Sequence, residues 1–338
     1  MAITPIPNPD HEHANGRSAT TDEKVIDQKG PSSPELTHSE EEDIGRELPL
    51  WCRIRRTFRE PFAEFFGVFI LVLFGDGAVA QVVLSRGGKG DWQSINWGWG
   101  LGVMLGVYSA GISGGHINPG VTLANCIFRK FPWRKFPIYF IAQLLGGICA
   151  ACVVYANYKS AITAFEGGPD IRTVSGNTST AGIFSTYPAP FMTTTGQFFS
   201  EFLASAILVF CLYALQDDSN LGAGKLTPLG LFFVVFGIGA CFGWETGYAI
   251  NLARDFGPRL MTYALGYGSE VWSAGNYYFW VPMVAPFCGC VFGGFLYDVF
   301  LYTGSESPIN APYMGVDRFV RPRRDVWSNT MSKPGSQV

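Results

Sequence analysis

Six apolar stretches, at residues 61–84, 95–112, 137–158, 197–215, 228–247 and 279–302, dominate the chain, and each is near the length of about 20 mostly apolar residues that a helix needs to cross a bilayer. Between the second and third, and again between the fifth and sixth, lies a shorter piece that opens on an asparagine. The first runs Ser113-Gly114-Gly115-His116-Ile117-Asn118-Pro119-Gly120-Val121-Thr122, and the second runs from Gly247 through Tyr248-Ala249-Ile250-Asn251-Leu252-Ala253-Arg254-Asp255 to Arg259. Neither is long enough to span. Both are therefore predicted to be re-entrant half-helices, which a membrane tolerates only where protein or a water-filled cavity satisfies the exposed backbone. With 48% hydrophobic residues, 15% charged residues and 41 glycines, the pattern excludes a water-soluble globule. The predicted fold class is an all-α membrane protein of six transmembrane helices and two half-helices.

The asparagine pieces stand at matched places in a duplicated unit. Ala63-Glu64-Phe65-Phe66 in the first stretch echoes Ser200-Glu201-Phe202-Leu203 in the fourth; Glu64 and Glu201 lie 137 positions apart, and Asn118 and Asn251 lie 133 apart. Units of three spans face opposite ways in the membrane, and inverted repeats of this kind bring their broken helices together near the midplane. A carboxylate inside a bilayer costs about 2.5–3.5 kcal/mol on insertion scales. Glu64 and Glu201 therefore need partners, and the nearest candidates are the unpaired backbone N–H groups approaching each asparagine. Gly98, Gly102 and Gly106 share one helical face, as do Gly289 and Gly293, which predicts close helix contacts.

Basic residues set the orientation. Arg53, Arg55, Arg56 and Arg59 precede the first stretch, Arg129, Lys130, Arg134 and Lys135 follow the first asparagine piece, and Arg318, Arg321, Arg323 and Arg324 follow the last stretch. The positive-inside rule then puts both termini in the cytosol, and the plasma membrane is the expected location. Residues 1–50 hold 11 acidic and 4 basic side chains and no apolar run, so a disordered cytosolic tail is expected there, followed by a membrane body at 51–303 and a second tail at 304–338. The outward loop 159–196 carries one sequon, Asn177-Thr178-Ser179, which is either a glycosylation site or a chance match. Of the eight cysteines, seven lie in apolar runs and read as small core side chains. The four histidines form no metal cluster, and nothing implies a metal, a cofactor, a catalytic group or a nucleic-acid partner.

Asparagine is a good N-cap: its side-chain oxygen accepts from a first-turn N–H, which leaves the side-chain NH2 of Asn118 and Asn251 to face a lumen. Each half-helix also aims the positive end of its dipole, roughly half an elementary charge, at that spot. Cations are disfavoured there, and water or hydroxyl oxygens approach oxygen-first. Pro119 suits the first helical position, whereas Leu252 lacks that preset geometry.

The two segments resemble the signature of the aquaporin and glycerol-facilitator family, whose Asn-Pro-Ala boxes open half-helices that meet at the bilayer midplane. Asn118-Pro119-Gly120 and Asn251-Leu252-Ala253 depart from it at Gly120 and Leu252; similar Asn-Leu-Ala boxes occur in some aquaglyceroporins, and Gly120 is expected to make room for Leu252. The resemblance covers residues 60–302. It implies an outer selectivity filter of Arg254, Tyr248, Gly239 and an aromatic of the second stretch. The usual spacing for that aromatic lands on Gly98, while Trp99-Gly100-Leu101-Gly102 matches the family pattern, so Trp99 is chosen. Water channels usually carry His where this chain has Gly239, so glycine with two aromatics implies an amphipathic slot for glycerol, other polyols or urea, with water. Asp255 and Arg259 are also the glycerol-facilitator choices, with i,i+4 spacing for an ion pair, and His116 is placed by the match in the cytosolic vestibule. Pro282-Met283 resembles that branch's Pro-Leu pair, and the acidic front tail and Trp97-Gly98-Trp99-Gly100 resemble fungal members. A homotetramer with one passive pore per subunit is implied. The alternatives are a secondary transporter, which needs a coupling-ion site for which Asp76 is the remaining carboxylate well inside a span, and a closed or regulatory member of the fold.

Because residues 1–45 contain no core and precede the first arginine cluster, their deletion is expected to leave the amount of assembled protein in the membrane unchanged, as read by size-exclusion chromatography of detergent extracts.

Overall fold

In the computed structural model the chain is described over residues 49–315; most of the expected tails at 1–50 and 304–338, including Arg318, Arg321, Arg323 and Arg324, lies outside the described residues. Helices follow in the order α1 Leu50–Thr57, α2 Arg59–Leu84, α3 Trp92–Ser109, α4 Pro119–Phe128, α5 Phe136–Glu166, α6 Thr194–Gln216, α7 Thr227–Phe242, α8 Leu252–Thr262, α9 Glu270–Tyr277 and α10 Val281–Phe300. Among the described residues five helical segments, Arg59–Leu84, Trp133–Glu166, Thr194–Gln216, Gly224–Phe242 and Glu270–Phe300, are long and apolar enough to cross a membrane. The protein is an all-α membrane protein.

The second predicted stretch departs from expectation. It forms α3, an 18-residue helix whose apolar character is diluted by Gln93, Ser94, Asn96 and the glycines at 98, 100, 102 and 106, so it falls outside the set of membrane-crossing candidates. It also starts earlier than its apolar run, because the Asp91 side chain accepts from the Ser94 N–H at 3.1 Å while Ser94 Oγ accepts from the Asp91 N–H at 3.1 Å, a reciprocal cap that opens the helix before hydrophobicity begins. The third stretch runs on to Glu166 and stops at Gly167, whose φ of 89° ends the helix in the left-handed region. The two asparagine pieces differ as well. α4 is apolar, whereas α8 carries Arg254, Asp255 and Arg259, all buried.

α2 packs on α3 and α5, α3 on α7, and α6 on α10, while α4 and α8 sit against α10 and α5 respectively. Glycines allow these approaches. A methyl group added at Gly102 would lie 2.6 Å from the Leu71 carbonyl oxygen, and one at Gly289 or Gly293 would strike the Phe202 or Ala206 carbonyl oxygen. Outward faces carry exposed Phe66, Phe74, Ile141, Leu145, Phe199 and Phe233, the composition of a surface that meets lipid tails rather than water. The cysteines correct the sequence reading: all eight are free and only Cys126 and Cys290 are buried, while Cys149, Cys152, Cys241 and Cys288 are exposed on helix faces. Apolar runs in a membrane helix face lipid as well as core, so residence in such a run does not imply burial.

Gly293→Leu is expected to lower the thermal stability of the detergent-solubilised protein markedly, since overpacking a tight contact costs about 1–3 kcal/mol and here the obstacle is backbone. Gly237→Ala, on a helix with open space around the added carbon, serves as the tolerated control in the same melting assay.

Candidate functional site

Two stretches of non-helical backbone lead to the asparagine boxes, and each is held by one buried glutamate. Glu64 Oε1 accepts from the His116 N–H at 3.0 Å and from Ser113 Oγ at 2.6 Å, and Oε2 accepts from the Ile117 N–H at 2.7 Å and Gln143 Nε2 at 2.7 Å. Glu201 repeats the arrangement in the second half, taking the Ala249 N–H at 2.9 Å, the Ile250 N–H at 2.8 Å and Tyr278 Oη at 3.2 Å. Both carboxylates are fully buried. Their bonds offset the penalty of placing a carboxylate away from water, and they hold Ile117, Tyr248 and Ile250 at φ of 43°, 39° and 44°, a region that side-chain-bearing residues seldom adopt.

Asn118 and Asn251 cap α4 and α8. Asn118 Oδ1 accepts from the Gly120 N–H at 2.8 Å, and Asn251 Oδ1 accepts from the Ala253 and Arg254 N–H groups at 3.0 and 3.3 Å. The side-chain NH2 groups are not wholly free, as the sequence reading had them. Asn118 Nδ2 donates to the Ile250 carbonyl and Asn251 Nδ2 to the Ile117 carbonyl, both at 2.8 Å. One hydrogen of each NH2 thus joins the half-helices to each other, and the second remains. A methyl at Gly120 would first meet Cys290 Sγ at 2.8 Å and the Pro286 carbonyl at 3.2 Å, so the room this glycine leaves goes first to α10 rather than to Leu252. Pro119, Leu252 and Ala253 fill the first turns and are buried.

A cavity of about 70 Å³ runs past these asparagines, bordered at one end by Trp99, Tyr248 and Arg254 and at the other by His116 and Asn125. Leu71, Val103, Leu208 and Leu231 form an apolar wall. Gly114, Gly115, His116, Tyr248 and Ala249 also border it, and among the described residues the carbonyl oxygens of these five accept no hydrogen bond from the protein. The cavity border therefore combines apolar side chains with residues whose backbone acceptors are unused by the protein.

Arg254 is 6% exposed. Its Nη1 donates to the Phe184 carbonyl at 3.1 Å and its guanidinium lies 3.9 Å from the centre of the Trp99 ring, where the ring face attracts the cation. Behind it, Arg259 Nε and Nη2 bond the Asp255 carboxylate at 2.9 and 3.2 Å. Asp255 Oδ2 in turn accepts from the Thr186 N–H at 2.7 Å, and Arg259 Nη2 donates to the Thr186 carbonyl at 2.6 Å. The ion pair thus clamps the loop whose Phe184 carbonyl holds Arg254. Phe184 and Thr186 carry no sequence signal, lying in a loop far from either box. Gly239 also departs from expectation. It does not border the cavity; the Tyr248 ring lies over it, so that a carbon added at Gly239 would sit 2.6 Å from Tyr248 Cζ.

At the other end, His116 Nδ1 contacts Thr122 Oγ1 at 3.2 Å and Nε2 contacts Asn125 Nδ2 at 3.0 Å. His116 and Asn125 also border a second, wider cavity of about 340 Å³ with Arg129, Tyr213 and Glu306. Arg129 pairs with Asp298 at 2.8 Å and lies between the Tyr213 and Tyr302 rings. Asn177 is exposed in its loop, and Asp76 is buried outside the cavity lining with both carboxylate oxygens unbonded to protein. No cluster of three or more metal-ligating side chains occurs among the described residues.

Comparison with known proteins agrees with this geometry. The sequence profile described as Major intrinsic protein matches residues 52–297. The chain is 78% identical over 271 residues to Aquaglyceroporin-9 of Botryotinia fuckeliana, covering 80% of this chain and 60% of that protein's length. It is 73% identical over 280 residues to Probable aquaglyceroporin-2 of Gibberella zeae, covering 83% of both. Among solved structures, the X-ray structure of the aquaglyceroporin from Plasmodium falciparum superposes with a TM-score of 0.63 at 34% identity, over 72% of this chain and 96% of that one. Paired asparagine caps, glutamate braces and a matched profile over most of the described body lead to one assignment: the chain belongs to the major intrinsic protein family, in its aquaglyceroporin branch.

Proposed function

We propose that this protein is a passive transmembrane channel for glycerol and related small uncharged solutes, with water passing by the same route. The observation that carries this reading is the make-up of the cavity border, where apolar side chains stand together with residues whose carbonyls accept no protein hydrogen bond, the two asparagines and Arg254. A polyol has one edge of CH groups and one of hydroxyls, so such a lumen desolvates it while replacing the hydrogen bonds it loses. The names of the relatives in Botryotinia, Gibberella and Plasmodium support the same class of solute. Among the described residues no carboxylate borders the central cavity, which favours passive passage over ion-coupled transport.

In this reading α2, α3, α5, α6, α7 and α10 are the six spans and α4 and α8 the half-helices of a channel body at 51–303, with both tails in the cytosol and the plasma membrane as the site. Trp99, Tyr248 and Arg254 form the outer filter, and Gly239 shapes it from behind by leaving the Tyr248 ring its place. Glu64, Glu201, Asp255 and Arg259 support the pore, His116 lines the cytosolic vestibule, and Asn177 stands as a glycosylation candidate. Four copies assemble around the lipid-facing surfaces, each with its own pore.

Stopped-flow light scattering on proteoliposomes tests the function directly, with glycerol and water permeability well above protein-free vesicles as the expected result. Asn251→Asp is expected to reduce glycerol flux by about tenfold or more at equal abundance, because it replaces the donor to the Ile117 carbonyl with a second acceptor and sets a charge at the midplane. Gly239→His should depress glycerol permeability several-fold more than water permeability, since the imidazole must displace the Tyr248 ring toward the lumen; an unchanged ratio in the same assay counts against this account of the filter.

A further inference from the structure

The Tyr248 ring lies in a cage built from two helices. Gly239 on α7 and Gly243, the residue just past the end of that helix, supply its floor: a carbon added at Gly243 would lie 2.6 Å from Tyr248 Cδ1 and 2.7 Å from Trp92 Cζ2. Trp92 closes one side edge-on, its ring centre 6.1 Å from that of Tyr248, and is itself fixed by a bond from its Nε1 to the Gly239 carbonyl at 3.2 Å. The last side is Asn96, whose Oδ1 accepts from Tyr248 Oη at 2.8 Å. Trp92, Asn96 and Trp99 are spaced i, i+4, i+7 on α3, so one helical face supplies both the cage and the aromatic that meets Arg254.

Asn96 is fully buried, and its Nδ2 makes no hydrogen bond to the protein. A leucine, with the same branched arrangement of four side-chain heavy atoms, would avoid that unsatisfied donor, so the side chain is poorly suited to be mere packing. Its one bond goes to the hydroxyl of a residue that borders the lumen. We propose that Asn96 is a positioning residue for solute selection: it retains the Tyr248 hydroxyl in the α3–α7 interface so that the ring presents only apolar surface to the lumen. Without that acceptor the hydroxyl turns to the nearest polar space, the cavity, where it narrows the slot and competes for the solute's hydroxyls. This proposal rests on the glycerol-channel reading above.

The experiment is a double-mutant cycle in proteoliposomes, reading the ratio of glycerol to water permeability, with membrane abundance measured for each variant. Asn96→Leu is expected to lower the ratio by roughly threefold or more, while the same substitution added to Tyr248→Phe changes the ratio set by that background by less than about 1.5-fold, because the hydroxyl through which Asn96 acts is gone. Asn96→Ala serves as a second lesion if leucine disturbs the packing. A ratio unaffected by Asn96→Leu and Asn96→Ala, or lowered equally in both backgrounds, overturns the proposal while leaving the channel reading intact. Failure of both variants to reach the membrane, alone and with Tyr248→Phe, would make Asn96 a folding residue and overturn it too. A parent protein that passes water but no glycerol overturns both readings.

Discussion

Everything at the centre of this molecule depends on two carboxylates reading backbone. Non-helical peptide inside a membrane leaves N–H groups without water, and Glu64 and Glu201 each take two consecutive ones. The same bonds stabilise the left-handed geometry at Ile117 and Ile250, which a β-branched residue adopts only under compulsion. With the N–H groups turned to the glutamates, the carbonyls along the same runs are left for the lumen. Removing either carboxylate would therefore release the backbone strain and disperse these acceptors together.

The two halves are then joined to one another by the asparagines. Each side-chain oxygen caps its own half-helix while one N–H reaches the carbonyl beside the opposite box. A cap and a cross-bond made by the same amide make the position of one half-helix a condition for the other. The arrangement is not perfectly symmetric: Asn251 caps two N–H groups and Asn118 one. That difference follows the sequence, since Pro119 presets the first turn of α4 while α8 begins at Leu252 without that constraint and draws a second capping bond.

Legibility from sequence divided along the range of the interactions. The glutamates, the capping role of the asparagines and the Asp255–Arg259 pair are short-range or repeat-encoded, so spacing alone identified the residue types and where partners had to be sought. What spacing could not supply is where a side chain ends up when two helices are brought together. Gly120 meets Cys290 and Pro286 on α10, and Gly239 is covered by Tyr248; both relations join residues with no sequence proximity. The sequence does carry one signal of such a relation. Asn96 is a polar residue between Ile95 and Trp97 in an apolar stretch, i+4 from Trp92 and i−3 from Trp99, and a buried amide at helical spacing from two aromatics calls for a partner.

The electrostatics of the Arg254 end are separable from its shape. Arg254 is fixed by a carbonyl on one side and the Trp99 face on the other and forms no ion pair among the described residues, whereas Arg259 is matched by Asp255 within hydrogen-bond distance. The Asp255–Arg259 pair stands behind the cavity wall and holds the loop; the Arg254 guanidinium stands at the cavity, with Asp76 and Asp255 near enough to feel its charge, and in the proposed channel it adds its field to the positive ends of the two half-helices. In the proposed channel three positive contributions then act along one narrow path against a cation. A neutral solute meets the same groups as hydrogen-bond donors, so exclusion of charge and acceptance of hydroxyls arise from one set of atoms.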